Sequence, residues 1–173
     1  MLLSLLTTTP ARAVDTETLE LVAKATDLFK FAPFVEWPTP EAEFPGNVFV
    51  ICIIGRDPFG ALLNRVVARQ TVEGHSILIR RYEVITGDPG CSVAYVTGSA
   101  SQSEREMLAV LASAPVLTVT DAAYSPRAPG IIDFVLQDGH VRFSVDVGEA
   151  AQQGLHLSSK LLILAVSVRT GQP

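Results

Sequence analysis

Val141-Arg-Phe-Ser-Val-Asp-Val147, running through Gly148-Glu-Ala-Ala-Gln-Gln-Gly154 into Leu155-His-Leu-Ser-Ser-Lys-Leu-Leu-Ile-Leu-Ala165, is the most informative stretch of the chain. Val141, Phe143, Val145 and Val147 alternate with Arg142, Ser144 and Asp146. That period of two belongs to a half-covered β-strand. Asp138-Gly139 separates it from a second strand expected over residues 131–136, and this dipeptide suits a two-residue hairpin turn. Downstream, a short helix is expected after Gly148 and a longer one after Leu157, with Ser158 as its cap. The stretch holds no nucleophile elbow, phosphate loop or metal-ligand spacing, so it reads as a signature of fold.

Upstream, strands and helices alternate. Residues 16–34 have apolar side chains at three-and-four spacing, with Asp15, Glu17 and Glu20 early, where a helix dipole favours acids. A run of Pro and Gly follows, at Trp37-Pro-Thr-Pro40 and Phe44-Pro-Gly46. Residues 47–54 form an almost unbroken β-branched run, as in a central strand covered on both faces. Gly55-Arg-Asp-Pro58 leads out of it, with Asp57 placed to cap a helix reaching about residue 68. Further strands are expected at 76–82, 92–97 and 116–120. Ser103-Glu-Arg-Glu106 fits a capping box for a helix through residue 112. The sum is an α/β domain: a three-layer αβα sandwich with a mixed, mostly parallel sheet and a C-terminal hairpin plus helices. In such sheets ligands bind beyond the carboxyl ends of the strands, here residues 55–60, 97–101 and 120–125.

A chain of 173 residues suits one domain, assigned to residues 14–173. The net charge of −5 and the lack of a basic run argue against a nucleic-acid partner. Met1-Leu-Leu-Ser-Leu-Leu6 is apolar, and Ala11-Arg-Ala13 fits a small-x-small cleavage site. Residues 1–13 are therefore expected to be a truncated signal peptide whose basic region lies upstream. An exported chain meets an oxidising compartment, where Cys52 and Cys91 either pair or stay as two buried thiols.

Candidate sites are few. Arg56 and Asp57 lie in the strand-to-helix turn, which either is only a capped turn or offers amides to an anion. Arg142 either pairs with Asp146 or Asp133 or holds a ligand carboxylate with its planar fork. Phe34 and Trp37 either pack in the core or meet a partner. His75, His140 and His156 lack ligand spacing, so neither a metal nor a cofactor is expected. Adjacent Ser159 and Lys160 on a helix point apart, and Ser158 already has a capping role, so no serine–lysine catalyst is expected.

Four segments, taken in order, carry a family resemblance: Lys30-Phe-Ala-Pro-Phe-Val-Glu-Trp-Pro38, Val50-Ile-Cys-Ile-Ile-Gly-Arg-Asp-Pro-Phe-Gly60, Pro115-Val-Leu-Thr-Val-Thr-Asp121, and the C-terminal stretch quoted first. Together they resemble the YfiR-like periplasmic proteins, whose best-studied members repress a membrane-bound diguanylate cyclase. Asp146 departs from the pattern, standing where many relatives carry asparagine. The resemblance implies a non-catalytic periplasmic regulator that binds a membrane sensor, such as a diguanylate cyclase, and can form homodimers and take a small-molecule ligand. It also implies a Cys52–Cys91 disulfide. The alternative from another class is a nucleotide- or small-molecule-binding protein of Rossmann-like shape, including an enzyme. It lacks a convergent acid, base and nucleophile in the sequence.

Overall fold

The structure is a computed structural model and describes residues 11–124 and 128–171. Residues 1–10 of the expected leader, and Ser125 of the third strand-end loop, lie outside the described residues. In chain order the elements are α1 (Ala11–Lys30), β1 (Val35–Glu36), α2 (Pro40–Glu43), β2 (Phe49–Gly55), α3 (Ala61–Val67), β3 (Thr71–Val72), β4 (His75–Tyr82), β5 (Val93–Gly98), α4 (Glu104–Leu111) and β6 (Leu117–Asp121). They continue with β7 (Ile132–Gln137), β8 (His140–Asp146), α5 (Val147–Gln152), β9 (His156–Leu157), α6 (Ser159–Leu164) and β10 (Ser167–Arg169).

Eight strands form a mixed sheet in the order β10-β8-β7-β6-β5-β2-β4-β3. The pairs β4–β2, β2–β5, β5–β6, β6–β7 and β8–β10 are parallel, while β7–β8 and β3–β4 are antiparallel. The central run of β2 explains why no polar residue appears in it. Phe49, Ile51 and Ile53 join one apolar cluster with Ala25 and Leu28 of α1 and Leu63 and Val67 of α3. Val50, Cys52 and Ile54 join the other, with Met107 and Leu111 of α4. Successive residues of a strand face opposite sides, so both faces must be apolar when helices cover both. The expected three-layer α/β arrangement is therefore present.

Local signals were read correctly where a short segment decides its own shape. Asp138 and Gly139, at φ of 51° and 73°, make the β7–β8 turn. Ser103 and Glu106 form the capping box of α4. Ser158 accepts from the Leu161 N–H at 3.4 Å to cap α6. Four departures stand out. The first helix ends at Lys30, and Val35–Glu36 instead forms β1, antiparallel to β9. Ahead of the strand expected at 76–82, Thr71–Val72 forms β3, which a turn at Glu73 and Gly74 joins antiparallel to β4. The last two helices are equally short, at six residues each, because β9 and β10 occupy the chain between and after them. Finally, α3 starts at Ala61, after Gly60 at φ +50°, and not at Pro58. Asp57 accepts instead from the Phe59 and Gly60 N–H groups of the turn.

Cys52 of β2 and Cys91, just ahead of β5, form a disulfide with their Cα atoms 5.9 Å apart. It is buried under α4, against Val50, Ile54 and Met107. The bond closes a loop of 39 positions, for which the chain-entropy account gives about 3–4 kcal/mol. Urea unfolding of Cys52→Ala/Cys91→Ala is expected to show a loss of about 3 kcal/mol against the oxidised protein. A loss below about 1 kcal/mol would show that the bond acts on neither the unfolded nor the folded state to the extent argued.

Candidate functional site

The sheet reverses its direction of growth between β2 and β5. From β2 the chain passes through α3 to β4 on one side; from β5 it passes through α4 to β6 on the other. The strand ends there diverge into loops, and this is where α/β sheets bind ligands. Two glycines bring the ends together. A Cβ on Gly55 (φ +95°) would lie 2.2 Å from the Gly98 carbonyl oxygen. The Arg56 N–H donates to that same oxygen at 2.9 Å. Thr97 adds a bond from its hydroxyl to the Arg56 carbonyl at 2.7 Å.

The result is an open cleft of about 720 Å³ lined by Arg56, Thr97, Ser99, Glu104 and Arg105, among others. Its floor is unusual in charge. Glu104, the first residue of α4, is 7 % exposed. Burial, and then the charges of Asp133 and Asp121, push its carboxyl up to about 8. Asp133 of β7 is also raised by burial, although the Thr120 hydroxyl donates to it at 2.8 Å. Asp121, at the end of β6, accepts from Lys24 of α1 at 2.5 Å, from the Tyr95 hydroxyl at 3.2 Å and from the Ala123 N–H at 3.0 Å. Lys24 and Asp121 are 3 % and 2 % exposed, a buried ion pair that fastens α1 to the sheet.

Of the residues singled out by sequence, Arg56 lines this cleft and Asp57 lines a smaller hollow beside it with Pro58 and Tyr124. Asp57 is already engaged, since Arg81 of β4 pairs with it at 2.7 Å. Arg142 is exposed on β8, away from the cleft lining. Neither of its two expected carboxylate partners holds it. Asp146 caps α5 through the Glu149 N–H and pairs with Arg169 at 3.2 Å, and Asp133 takes the Thr120 hydroxyl. An asparagine at 146 would keep the cap and lose the ion pair. Trp37 is half-buried, edge-on to Phe49 with ring centres 6.2 Å apart, and Phe34 is half-buried beside the same core.

The histidines stand apart. His75 stacks on Phe44 at 3.9 Å, His140 bonds the Asp138 carbonyl, and His156 sits opposite Glu36 in the two-stranded ribbon. Among the described residues no group of three His, Cys, Asp or Glu side chains could hold a metal ion, and no helix is long and apolar enough to cross a membrane.

Sequence reasoning missed Lys24, Glu104, Asp121 and Asp133. Lys24 did leave a trace: it lies between Leu21 and Leu28 on the apolar stripe of α1, where a cation must find a buried partner. Glu104 looked like an ordinary acid in the first turn of a helix.

A protein-family model described as YfiR/HmsC-like matches residues 22–166, from α1 to the end of α6 and just beyond. A search of curated proteins finds no match.

Proposed function

The chain belongs to the YfiR/HmsC-like family, and from that premise we propose that it is a non-catalytic periplasmic regulator that binds the periplasmic domain of a membrane sensor such as a diguanylate cyclase. The single observation that carries the reading is the family match, which extends over nearly the whole described chain. The buried disulfide agrees with export to an oxidising compartment.

The proposed contact face is the one that holds Phe34 and Trp37. The Phe34 carbonyl accepts from the Ser158 N–H at 2.8 Å, which ties this corner to the start of α6. That helix carries two apolar side chains in water, Ile163 at 82 % exposure and Leu164 at 61 %. Exposed apolar side chains on a helix tied at its start to half-buried aromatics offer the kind of surface that a partner desolvates. Trp37 supports the core as well, so its substitution affects folding and binding together.

Ile163→Asp is therefore the cleaner test. It should leave the melting temperature within a few degrees, because surface changes are usually worth under ~0.5 kcal/mol. It should weaken binding to the periplasmic domain of the membrane cyclase from the same organism by at least about tenfold, or ~1.4 kcal/mol. Calorimetry with the purified domain reads this directly, and light scattering separates a second copy of the chain from the sensor as the occupant. Unchanged affinity in both Ile163→Asp and Trp37→Ala would remove this face from the regulatory reading.

A further inference from the structure

The cleft between β2 and β5 contains a buried carboxyl with no partner of its own. Oε1 of Glu104 is inaccessible and has no hydrogen bond among the described residues. Buried polar atoms are almost always bonded, so one left without a partner calls for a ligand or another cause. Other unsatisfied donors lie around it. The N–H groups of Glu104 and Arg105 open α4 and have no carbonyl inside the helix to receive them. Ser103 has satisfied only the next one, that of Glu106. Arg56 and Arg105, both exposed, line the same cleft, and neither side chain is held by an ion pair or hydrogen bond among the described residues.

The charges that face Glu104 settle the chemistry. Asp133 on β7 and Asp121 on β6 are both acidic. Of the cations near these acids, Lys24 is committed to Asp121 and Glu20 and Arg169 to Asp146, while Arg56 and Arg105 are exposed at the cleft. With its carboxyl raised to about 8 by burial and these neighbours, Glu104 carries a proton at neutral pH and is an O–H donor. Free amides, two planar cationic forks and a neutral acid all need acceptor oxygens. A carboxylate satisfies them together, because its two oxygens match a guanidinium fork and form a short, charge-assisted bond to a carboxylic acid.

We propose that this cleft binds a small organic carboxylate, seated between the guanidinium groups of Arg56 and Arg105, the first amides of α4 and the carboxyl of Glu104. The proton on Glu104 makes binding depend on pH. Below about 8 the acid donates to the ligand; above it, Glu104 is an anion and repels the ligand. Arginine and the ligand carboxylate keep their charges across this range.

The test is calorimetric titration of the full chain, without any partner, with acetate, succinate and benzoate as probes and inorganic sulfate as control, at constant ionic strength. At about pH 6.5 at least one carboxylate should bind saturably at one site. Raising the pH to about 9.5 should weaken it on the order of thirtyfold, as the binding-competent fraction falls. Glu104→Gln, which stays neutral, should bind with equal affinity at both pH values. Arg56→Ala/Arg105→Ala, two exposed sites that leave the core alone, should lose binding at least about tenfold, and decides the matter if the glutamine variant does not fold. The proposal is overturned if no carboxylate binds up to ~20 mM, weaker than any useful recognition. It is also overturned if sulfate binds as well as the carboxylates, if the pH dependence survives in Glu104→Gln, or if the double arginine variant binds unchanged.

Discussion

Asp121→Ala is expected to destabilise the protein by about 3–5 kcal/mol, because it leaves Lys24 buried without its main counter-charge. Lys24 is 3 % exposed, and its other carboxylate, Glu20, lies towards the surface. Burial disfavours the ammonium, but the hydrogen bonds and charges of Asp121 and Glu20 outweigh this and hold Lys24 above its ordinary value. The pair therefore contributes fully at neutral pH. On the alkaline side its contribution is lost as pH rises through the folded value of Lys24. The substitution also strips the Tyr95 hydroxyl and the Ala123 N–H of their acceptor. The second substitution Lys24→Met, added to Asp121→Ala, should restore part of the loss, since an apolar replacement of a buried pair is often close to neutral. Urea unfolding of the two single variants and the double variant measures the coupling. A loss below about 1 kcal/mol for Asp121→Ala would mean that water or a rearranged Glu20 replaces the carboxylate at no cost, and the ion pair does not fasten α1.

Glu104→Gln is expected to gain stability over the wild type as pH rises from about 4.5 to about 8, by up to roughly 4 kcal/mol. Glu104 holds its proton more tightly when folded than when unfolded. Between the two values the unfolded chain releases the proton and the native one keeps it, so wild-type stability falls with rising pH. Below that window both states are protonated, and the two proteins should differ little. Asp133 is raised too, first by burial, so some of the downward slope should persist in the variant. Denaturant unfolding at about pH 5 and about pH 8, disulfide intact, reads the difference. Parallel curves for the two proteins would show that Glu104 is solvated in the native state. The same buried acid is thus a liability to the fold without a ligand. This is the pattern of a group kept for binding, not for stability.

Much of this protein is written locally. The alternation from Val141 to Val147 is enough for a strand, Asp138-Gly139 for a hairpin turn and Ser103-Glu-Arg-Glu106 for a capped helix, because each is decided by backbone preferences and bonds within a few residues. The apolar run at 47–54 even shows that helices cover both faces of its sheet. The order and spacing of the segments were enough to indicate the family. The short strands β1, β9 and β10 were not legible, since two or three residues carry no period and exist only through partners such as Leu157 for Val35 and Ser144 for Ser167. Nor does sequence spacing show that Lys24 meets Asp121, 97 positions away, or that the Glu104 carboxyl is shut from water with two other acids nearby. A helical pattern tells which side of α1 or α4 turns inward, and only the packed sheet decides what that side meets. Charge interactions depend on distance and dielectric in space, so the ionisable groups of the cleft acquired their character only when tertiary structure brought them together and excluded the water between them.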